Sequence, residues 1–344
     1  MTSHTTRRLS AVVVNFNGGP DLLTCVASLC IQLPRSDIIV VDNASTDGSV
    51  GIVAAHFPDV RILASPTNLG FAGGANLGAA EGPGDFLLFL NPDTFVMPGC
   101  VDQLRHALTT GAGVVGPLLR VGEKKEAGYG LTIDVTGMPR ALVDLGPPLY
   151  VSGCCLATTR GCFDTVGGFD ERYFLFVEDV EYCWQSLRRG YDVRVVPEAE
   201  AHHLGGRSIP GGYVRGGAVE VSTTRVVLRE RNTTAMFLAC APAAWLPMVV
   251  AASLFRTAAF AGLLASRGRW HSCGQVLGGL AQNLAWLPET IRRRRRLGVT
   301  PSAARAAWRR VSRRVFLWEF LRARQPISFV DTVGPPPTAR PGDS

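Results

Sequence analysis

Six short runs rich in β-branched and aliphatic residues constrain this chain more than any other feature: 11–14, 38–41, 60–63, 86–90, 151–157 and 193–196. They are too short to be helices and too apolar to present one face to water, and helix-length stretches separate most of them. Such runs belong to a largely parallel sheet with helices on both faces, a doubly wound α/β domain. In these sheets ligands sit beyond the carboxyl ends of the strands. The polar residues that follow the runs therefore carry most weight: Asn15 and Asn17, Asp42, Asn68, and Asn91 with Asp93. Asn and Asp also serve ordinary turns, because their side chains satisfy local backbone groups.

Around this domain the chain changes character. Residues 1–8 are polar and are expected to be loose. The α/β domain is expected over 9–232, and an apolar, Arg-rich helical extension over 233–330. A Pro- and Gly-rich tail over 331–344 is expected to be disordered. Ala235–Phe255 has no charge but contains Pro242 and Pro247, and Arg256 interrupts the apolar run to Ala265. That length could cross a bilayer, and the prolines and the Arg fit a shallow or in-plane hairpin equally well. From Ile291 onward thirteen Arg face three acids, a surplus of ten positive charges in a chain whose net charge is +7. The body is therefore slightly acidic, which argues against nucleic acid and for an anionic membrane surface met by the extension. Ser302–Arg324 mixes Trp308, Val311, Val315, Phe316, Leu317 and Trp318 with Arg, as a helix in the headgroup plane would. Nine Cys without CxxC spacing, and no signal sequence before the first strand, read as reduced thiols in the cytoplasm.

Several residues could do chemistry. Asp93, in Leu-Asn-Pro-Asp after the most apolar run, is placed to hold a hard divalent cation or to make a strand-to-turn contact. Glu178 and Asp179 follow Gly167-Gly168-Phe169-Asp170 and an aromatic stretch that suits a pocket wall. There they supply either a general base at a pocket mouth or the acidic first turn of a helix. One of His202 and His203 could complete a metal site. Gly111-Ala-Gly113-Val-Val-Gly116 matches GxGxxG, but it runs into a strand and Pro117 and does not open a helix, so it is not a dinucleotide fingerprint. The sequon at Asn43-Ala-Ser45 would stay unmodified in a cytoplasmic chain.

Taken in order, Val-Val-Val-Asn15-Phe-Asn17, Val-Val-Asp42-Asn43-Ala-Ser-Thr-Asp47-Gly-Ser, Asn68-Leu-Gly70-Phe71-Ala-Gly-Gly-Ala-Asn76, Leu-Asn91-Pro-Asp93, Gly167-Gly168-Phe169-Asp170, Glu178-Asp179 and His203-x-x-Gly206-x-Ser208 resemble the GT-A-fold glycosyltransferases of family 2. The similarity is closest to their bacterial rhamnosyltransferase-like branch and runs from about Ser10 to Asn232. It implies a donor base on Asp42, and a nucleotide pocket shaped by Asn15, Asn17 and Asp47. Asn68, Gly70 and Asn76 would form a loop around the nucleotide sugar. Asp93 takes the place of the last acid of a DxD-like motif, with Asn91 where the first would stand. The resemblance further implies Mg²⁺ or Mn²⁺ held by Asp93 and His203, Asp179 as catalytic base supported by Glu178, and inversion by direct displacement. Arg231-Asn232 would meet a phosphate. The expected reaction is transfer of L-rhamnose from dTDP-rhamnose to a lipid-linked or cell-envelope glycan, with a polyprenyl-diphosphate-linked acceptor, at the cytoplasmic face of the cell membrane. A UDP- or GDP-sugar donor, or a catalytically silent glycan-binding protein on the same fold, are the alternatives.

Overall fold

The first strand, β1 (Leu9–Asn15), is buried at every position, so helices must cover it on both sides. The computed structural model describes residues 7–122, 126–128, 130–142, 144, 146–205, 211–215, 218–295, 300–313 and 327–330. After β1 come α1 (Gly19–Cys30), β2 (Ile38–Asp42), α2 (Ser49–His56), β3 (Arg61–Ala64), α3 (Gly70–Glu81), β4 (Phe86–Leu90), β5 (Thr94–Val96) and α4 (Cys100–Thr109). The chain continues through β6 (Val114–Val121), β7 (Glu126–Gly128), β8 (Leu131–Ile133), β9 (Pro139–Ala141), β10 (Cys155–Thr159), α5 (Arg160–Val166), α6 (Glu178–Arg188) and β11 (Val193–His203). It divides into two units: Met1–Thr132, Ala141–Phe174 and Glu178–Ser208 form the first, and Ile133–Arg140, Leu175–Val177 and Ile209–Ser344 the second.

The main sheet of the first unit runs β3-β2-β1-β4-β10-β6-β11-β5, with β7 on β6. Pairing is parallel from β3 through β4 and again between β6 and β11, as a doubly wound sheet requires. The departure inside the sheet is β10, antiparallel to both β4 and β6, while β5 joins β11 and β7 joins β6 antiparallel as well. Parallel strands need a crossover, usually a helix. Among the described residues no helix stands between β6 and β10, and β10 starts at the end of the sheet where β6 stopped. It is also shorter than the expected 151–157 run, because the Cys155 amide bonds back to the Ser152 carbonyl at 3.1 Å in a turn through Gly153 and Cys154. β11 extends beyond the expected 193–196, with a register shift between Val196 and Glu200 that passes over Pro197, a residue with no N–H to give the ladder.

One face of the sheet buries Leu22, Cys25, Val26 and Leu29 of α1 and Leu104 and Leu108 of α4 against Val13, Leu88 and Leu90. On the other, α3 comes so close that a Cβ on Gly78 would lie 2.3 Å from Val12 Cγ1 and 3.0 Å from Val41 Cγ2. The Gly- and Ala-rich composition of α3 is what permits that approach.

The second unit holds β12 (Gly211–Arg215), β13 (Ala218–Ser222), α7 (Thr223–Cys240), α8 (Leu246–Ala265), α9 (Trp270–Arg295), α10 (Pro301–Trp308) and β14 (Ile327–Val330). Ser222 caps α7 by accepting from the Arg225 amide at 3.2 Å. Val226, Ala261, Leu264 and Val276 form the core shared by α7, α8 and α9. Ala243–Ala265 is 23 residues long and includes an 18-residue stretch with a mean hydropathy of 1.8, enough by length and composition to cross a membrane. Residues 314–326 of the expected headgroup-plane helix, the 331–344 tail and most of 1–8 lie outside the described residues.

Gly78→Ala should lower stability. An added methyl gains up to about 1 kcal/mol of helix propensity, but overpacking against stiff β-branched neighbours costs about 1–3 kcal/mol. Gly51, in α2, has open space where a Cβ would stand, with nothing within 4 Å, and should gain stability as Ala. Urea midpoints moving in opposite directions for the two variants are the expected result.

Candidate active site

The loops after β1 and β2 lock together through the residues singled out by sequence. Asn15, fully buried, donates to Ser45 Oγ at 3.0 Å and Ser49 Oγ at 3.2 Å, and accepts from the Gly18 amide. Asn17 takes a left-handed φ of 52°, which Asn tolerates better than most residues, and accepts from the Thr46 amide at 2.8 Å. Asp42 accepts from the Ser45 amide at 3.0 Å. Asp47 accepts from the Gly19 amide at 2.7 Å and the Ser49 hydroxyl at 2.6 Å. Burial works to raise the Asp47 pKa, but the hydrogen bonds from Ser49 and Gly19 together bring it below the usual carboxylate value. These side chains build the loops at the carboxyl edge of the sheet, as well as furnishing its polar lining.

Asn68 starts α3 by accepting from the Gly70 amide at 2.9 Å. Gly70 has φ +70°, and a Cβ there would stand 2.2 Å from the Phe174 carbonyl oxygen, so glycine is required twice over. The Asn76 amide is committed at both ends: it donates to the Phe169 carbonyl and Glu171 Oε1, both at 2.9 Å, and accepts from the Phe169 amide at 3.0 Å. It ties α3 to the Gly168-Phe169-Asp170 segment. Behind that segment Phe169 meets Phe71, Phe89, Phe163 and Tyr182, with ring centroids 4.9–5.9 Å apart. Where the sequence suggests a pocket wall of aromatics, many of the rings are that wall's buried backing.

Asp93 and His203 meet where β5 pairs with the end of β11, His203 opposite Thr94. Leu204 donates its amide to the Asp93 carbonyl at 3.0 Å. His203 Nε2 lies 3.1 Å from Asp93 Oδ1, but off the line a hydrogen bond needs, and the nitrogen is buried without a hydrogen-bond partner. An imidazole nitrogen and a carboxylate oxygen that approach without bonding suit a shared Mg²⁺ or Mn²⁺. Among the described residues no group of three or more His, Cys, Asp or Glu assembles. His202 is different: its Nε2 lies 2.7 Å from Glu200 Oε1 and its ring stacks on Phe95 at 5.2 Å. Gly206 and Ser208 lie outside the described residues.

Glu178 and Asp179 open α6. Asp179 accepts from the Gly153 amide through Oδ2 at 2.9 Å and from the Val180 amide through Oδ1 at 2.8 Å. The turn that feeds β10 then joins the two acidic ends of the site. Gly153 holds Asp179, while the next carbonyl, of Cys154, accepts the Asn91 amide at 3.1 Å. The Cys154 thiol feels both acids: burial chiefly, then the fields of Asp93 and Asp179, push its pKa up to about 12. Glu178 is buried, and its Oε2 has no hydrogen-bond partner. Burial first and the charge of Asp179 second hold its pKa well above the carboxylate range. Burial and the neighbouring charge thus favour the protonated form of Glu178.

Some functional-site neighbours escape a reading of the sequence. Glu181 and Gln185 are fully buried, and Gln185 bridges Glu181 Oε1 at 2.9 Å and Arg188 at 3.1 Å, a polar ladder along α6. The i, i+4, i+7 spacing is the available signal. In the second unit Asn232 donates to the carbonyls of Leu175 at 2.9 Å and Phe176 at 2.7 Å, holding a segment in which Phe176 (φ 69°) and Val177 (φ 75°) take left-handed backbone. Arg231, expected to meet phosphate, lies over the Trp286 ring at 4.6 Å and donates to Gln282 at 3.2 Å.

The sequence profile described as "Glycosyl transferase family 2" matches residues 10–167. An N-acetylglucosaminyl-diphospho-decaprenol L-rhamnosyltransferase of Mycobacterium tuberculosis is 30% identical over 263 residues, covering 65% of this chain and 85% of its own. Two solved structures share the fold. GalNAc-T7 with UDP, GalNAc and Mn²⁺ has a TM-score of 0.56 at 15% identity, over 69% of this chain and 48% of that one. The mannosyltransferase PcManGT of Pyrobaculum calidifontis, with GDP-Man and Mn²⁺, has a TM-score of 0.50 at 17% identity, over 92% and 88%.

The buried Glu178 makes a pH prediction. Its folded pKa is raised, so the native state binds the proton more tightly than the unfolded chain, and stability falls as pH rises from the ordinary Glu value towards the folded one. Glu178→Gln removes that slope. Denaturant titrations across this window should show the variant less pH-dependent than the wild type, and at least as stable at neutral pH.

Proposed function

This chain belongs to glycosyltransferase family 2, and we propose that it moves L-rhamnose from dTDP-rhamnose to a polyprenyl-diphosphate-linked glycan acceptor at the cytoplasmic face of the cell membrane. The observation that carries this reading is the meeting of Asp179 and the Asp93 edge at the Gly153–Cys154 turn. It supports a reading in which one site combines a cation-holding edge with a carboxylate that takes a proton. The rhamnosyl donor and the lipid-linked acceptor follow from the activity named for the M. tuberculosis relative.

In this reading Asp42 meets the donor base, Asn15, Asn17 and Asp47 shape the nucleotide pocket, and Asn68, Gly70, Asn76 and Asn91 surround the nucleotide sugar. Asp93 and His203 hold Mg²⁺ or Mn²⁺, which supplies positive charge to the diphosphate as it leaves. Asp179 takes the proton of the acceptor hydroxyl while the oxygen attacks the anomeric carbon. The bond to the diphosphate oxygen breaks on the opposite side, so the sugar configuration inverts. Two amide hydrogen bonds keep Asp179 oriented for that step. Glu178 beside it, held towards its protonated form, lets the pair carry one charge instead of two.

Asp179→Asn should retain folding and donor binding while transfer falls by roughly 10²–10⁴-fold, the usual contribution of a positioned base. The check is transfer from dTDP-rhamnose to a polyprenyl-diphosphate-linked N-acetylglucosamine. Unchanged turnover in the variant would remove the assignment of the base.

A further inference from the structure

Helix α8 mixes polar with apolar residues on its buried side and is wholly apolar on its exposed side. Its buried positions include Ser253, Arg256 and Thr257, while its exposed ones include Met248, Ala251, Leu254, Phe255, Ala258 and Ala259, and none of them carries a polar side chain. Arg256 is 2% exposed and is gripped by Glu230 of α7, with Nε 2.8 Å and 3.0 Å from the two carboxylate oxygens. Thr257 donates to the same carboxylate at 2.7 Å. The next helix repeats the pattern. From Ser272 to Pro288, α9 buries Ser272 and Asn283 and exposes Leu277, Gly278, Ala281, Leu284, Ala285 and Pro288. Phe255 is 68% exposed and Leu284 73%. Water does not select such faces, and contiguous apolar surface of this kind marks a binding surface.

Two occupants fit an apolar face, a bilayer or a second copy of the chain, and the charges favour the bilayer. The turn between α8 and α9 carries Arg267 and Arg269, and the far end of α9 carries Arg292–Arg295 after the exposed Ile291. Arginine at both ends of an apolar hairpin meets anionic headgroups at both ends. The same residues argue against a crossing. α7 is clamped to the middle of α8 by Glu230–Arg256, and to the middle of α9 by Asn283, whose Nδ2 donates to the Arg231 carbonyl at 3.0 Å. If the hairpin spanned, Glu230 and Arg231 would be carried to mid-bilayer depth, where charge is most costly.

We infer that α8 and α9 dock in the plane of an anionic bilayer without crossing it, sinking Leu254, Phe255, Leu277 and Leu284 into the acyl region while the flanking arginines meet lipid phosphates. The inference rests on the proposed reading for the side of the membrane concerned, and not on the transfer chemistry.

Purified full-length protein is floated with phosphatidylcholine vesicles and with vesicles that also contain phosphatidylglycerol, while nucleotide release from the donor is followed in detergent to report the transferase separately. Flotation is expected with the anionic vesicles. It should weaken about tenfold or more for Leu254→Glu or Phe255→Glu, exposed positions where folding tolerates the change, with nucleotide release retained. In cells, Ser266→Cys and Arg295→Cys should both react with an impermeant maleimide only from the cytoplasmic side. Labelling of Ser266→Cys from the outer side would show a crossing and overturn the inference. So would absence of flotation, or a soluble dimer that the same two glutamates dissociate.

Discussion

The site depends on a reversal of direction within the sheet. Because β10 enters antiparallel between β4 and β6, its leading turn is delivered to the carboxyl edge, where parallel strands end and ligands collect. From that turn the Gly153 amide fixes Asp179, and the Cys154 carbonyl takes the Asn91 amide, two residues before Asp93. A pair of backbone hydrogen bonds thereby unites acids that stand far apart in sequence. A β10 laid in parallel would bring its other end to this edge and leave α6 without that anchor.

Electrostatics at this edge is economical. A buried acid beside another acid cannot share full ionisation cheaply, and burial acts on Glu178 while hydrogen bonds act on Asp179. The neighbouring thiols stay neutral: burial raises both Cys25 and Cys154, and the Asp93 charge adds to each. Negative charge is therefore concentrated on few atoms. His203 beside Asp93 pairs a borderline with a hard donor, a chemistry that Mg²⁺ or Mn²⁺ can accept in the proposed reading.

Much of this is legible in the sequence because local chemistry and tertiary role coincide. Short apolar runs without alternation suit buried strands, and β1, β2 and β4 lie where those runs lie, while β3 at the sheet's edge is partly exposed. Asn15, Asp42 and Asp93 stand out because strand ends in this architecture face the ligand edge. What stays hidden depends on contacts between distant segments. The direction of β10 goes with the absence of a crossover helix among the described residues, which no single run announces. Asn76 stands out through the family resemblance, but nothing local announces that its amide also ties α3 to Phe169, 93 residues away. Arg256 looks like an obstacle in an apolar helix until Glu230, 26 residues earlier, supplies its partner.

The central claim is that Asp93 and Asp179 serve one bound nucleotide sugar through a cation. The most direct measurement is thermal unfolding with a panel of nucleotide sugars, with and without Mg²⁺ or Mn²⁺, for the wild type and Asp93→Ala. The account predicts that dTDP-rhamnose, at about a hundred times its dissociation constant and only with the cation, raises the midpoint by roughly 5–10 °C, and that Asp93→Ala loses the shift. An equal shift without cation, or one kept in Asp93→Ala, would contradict it.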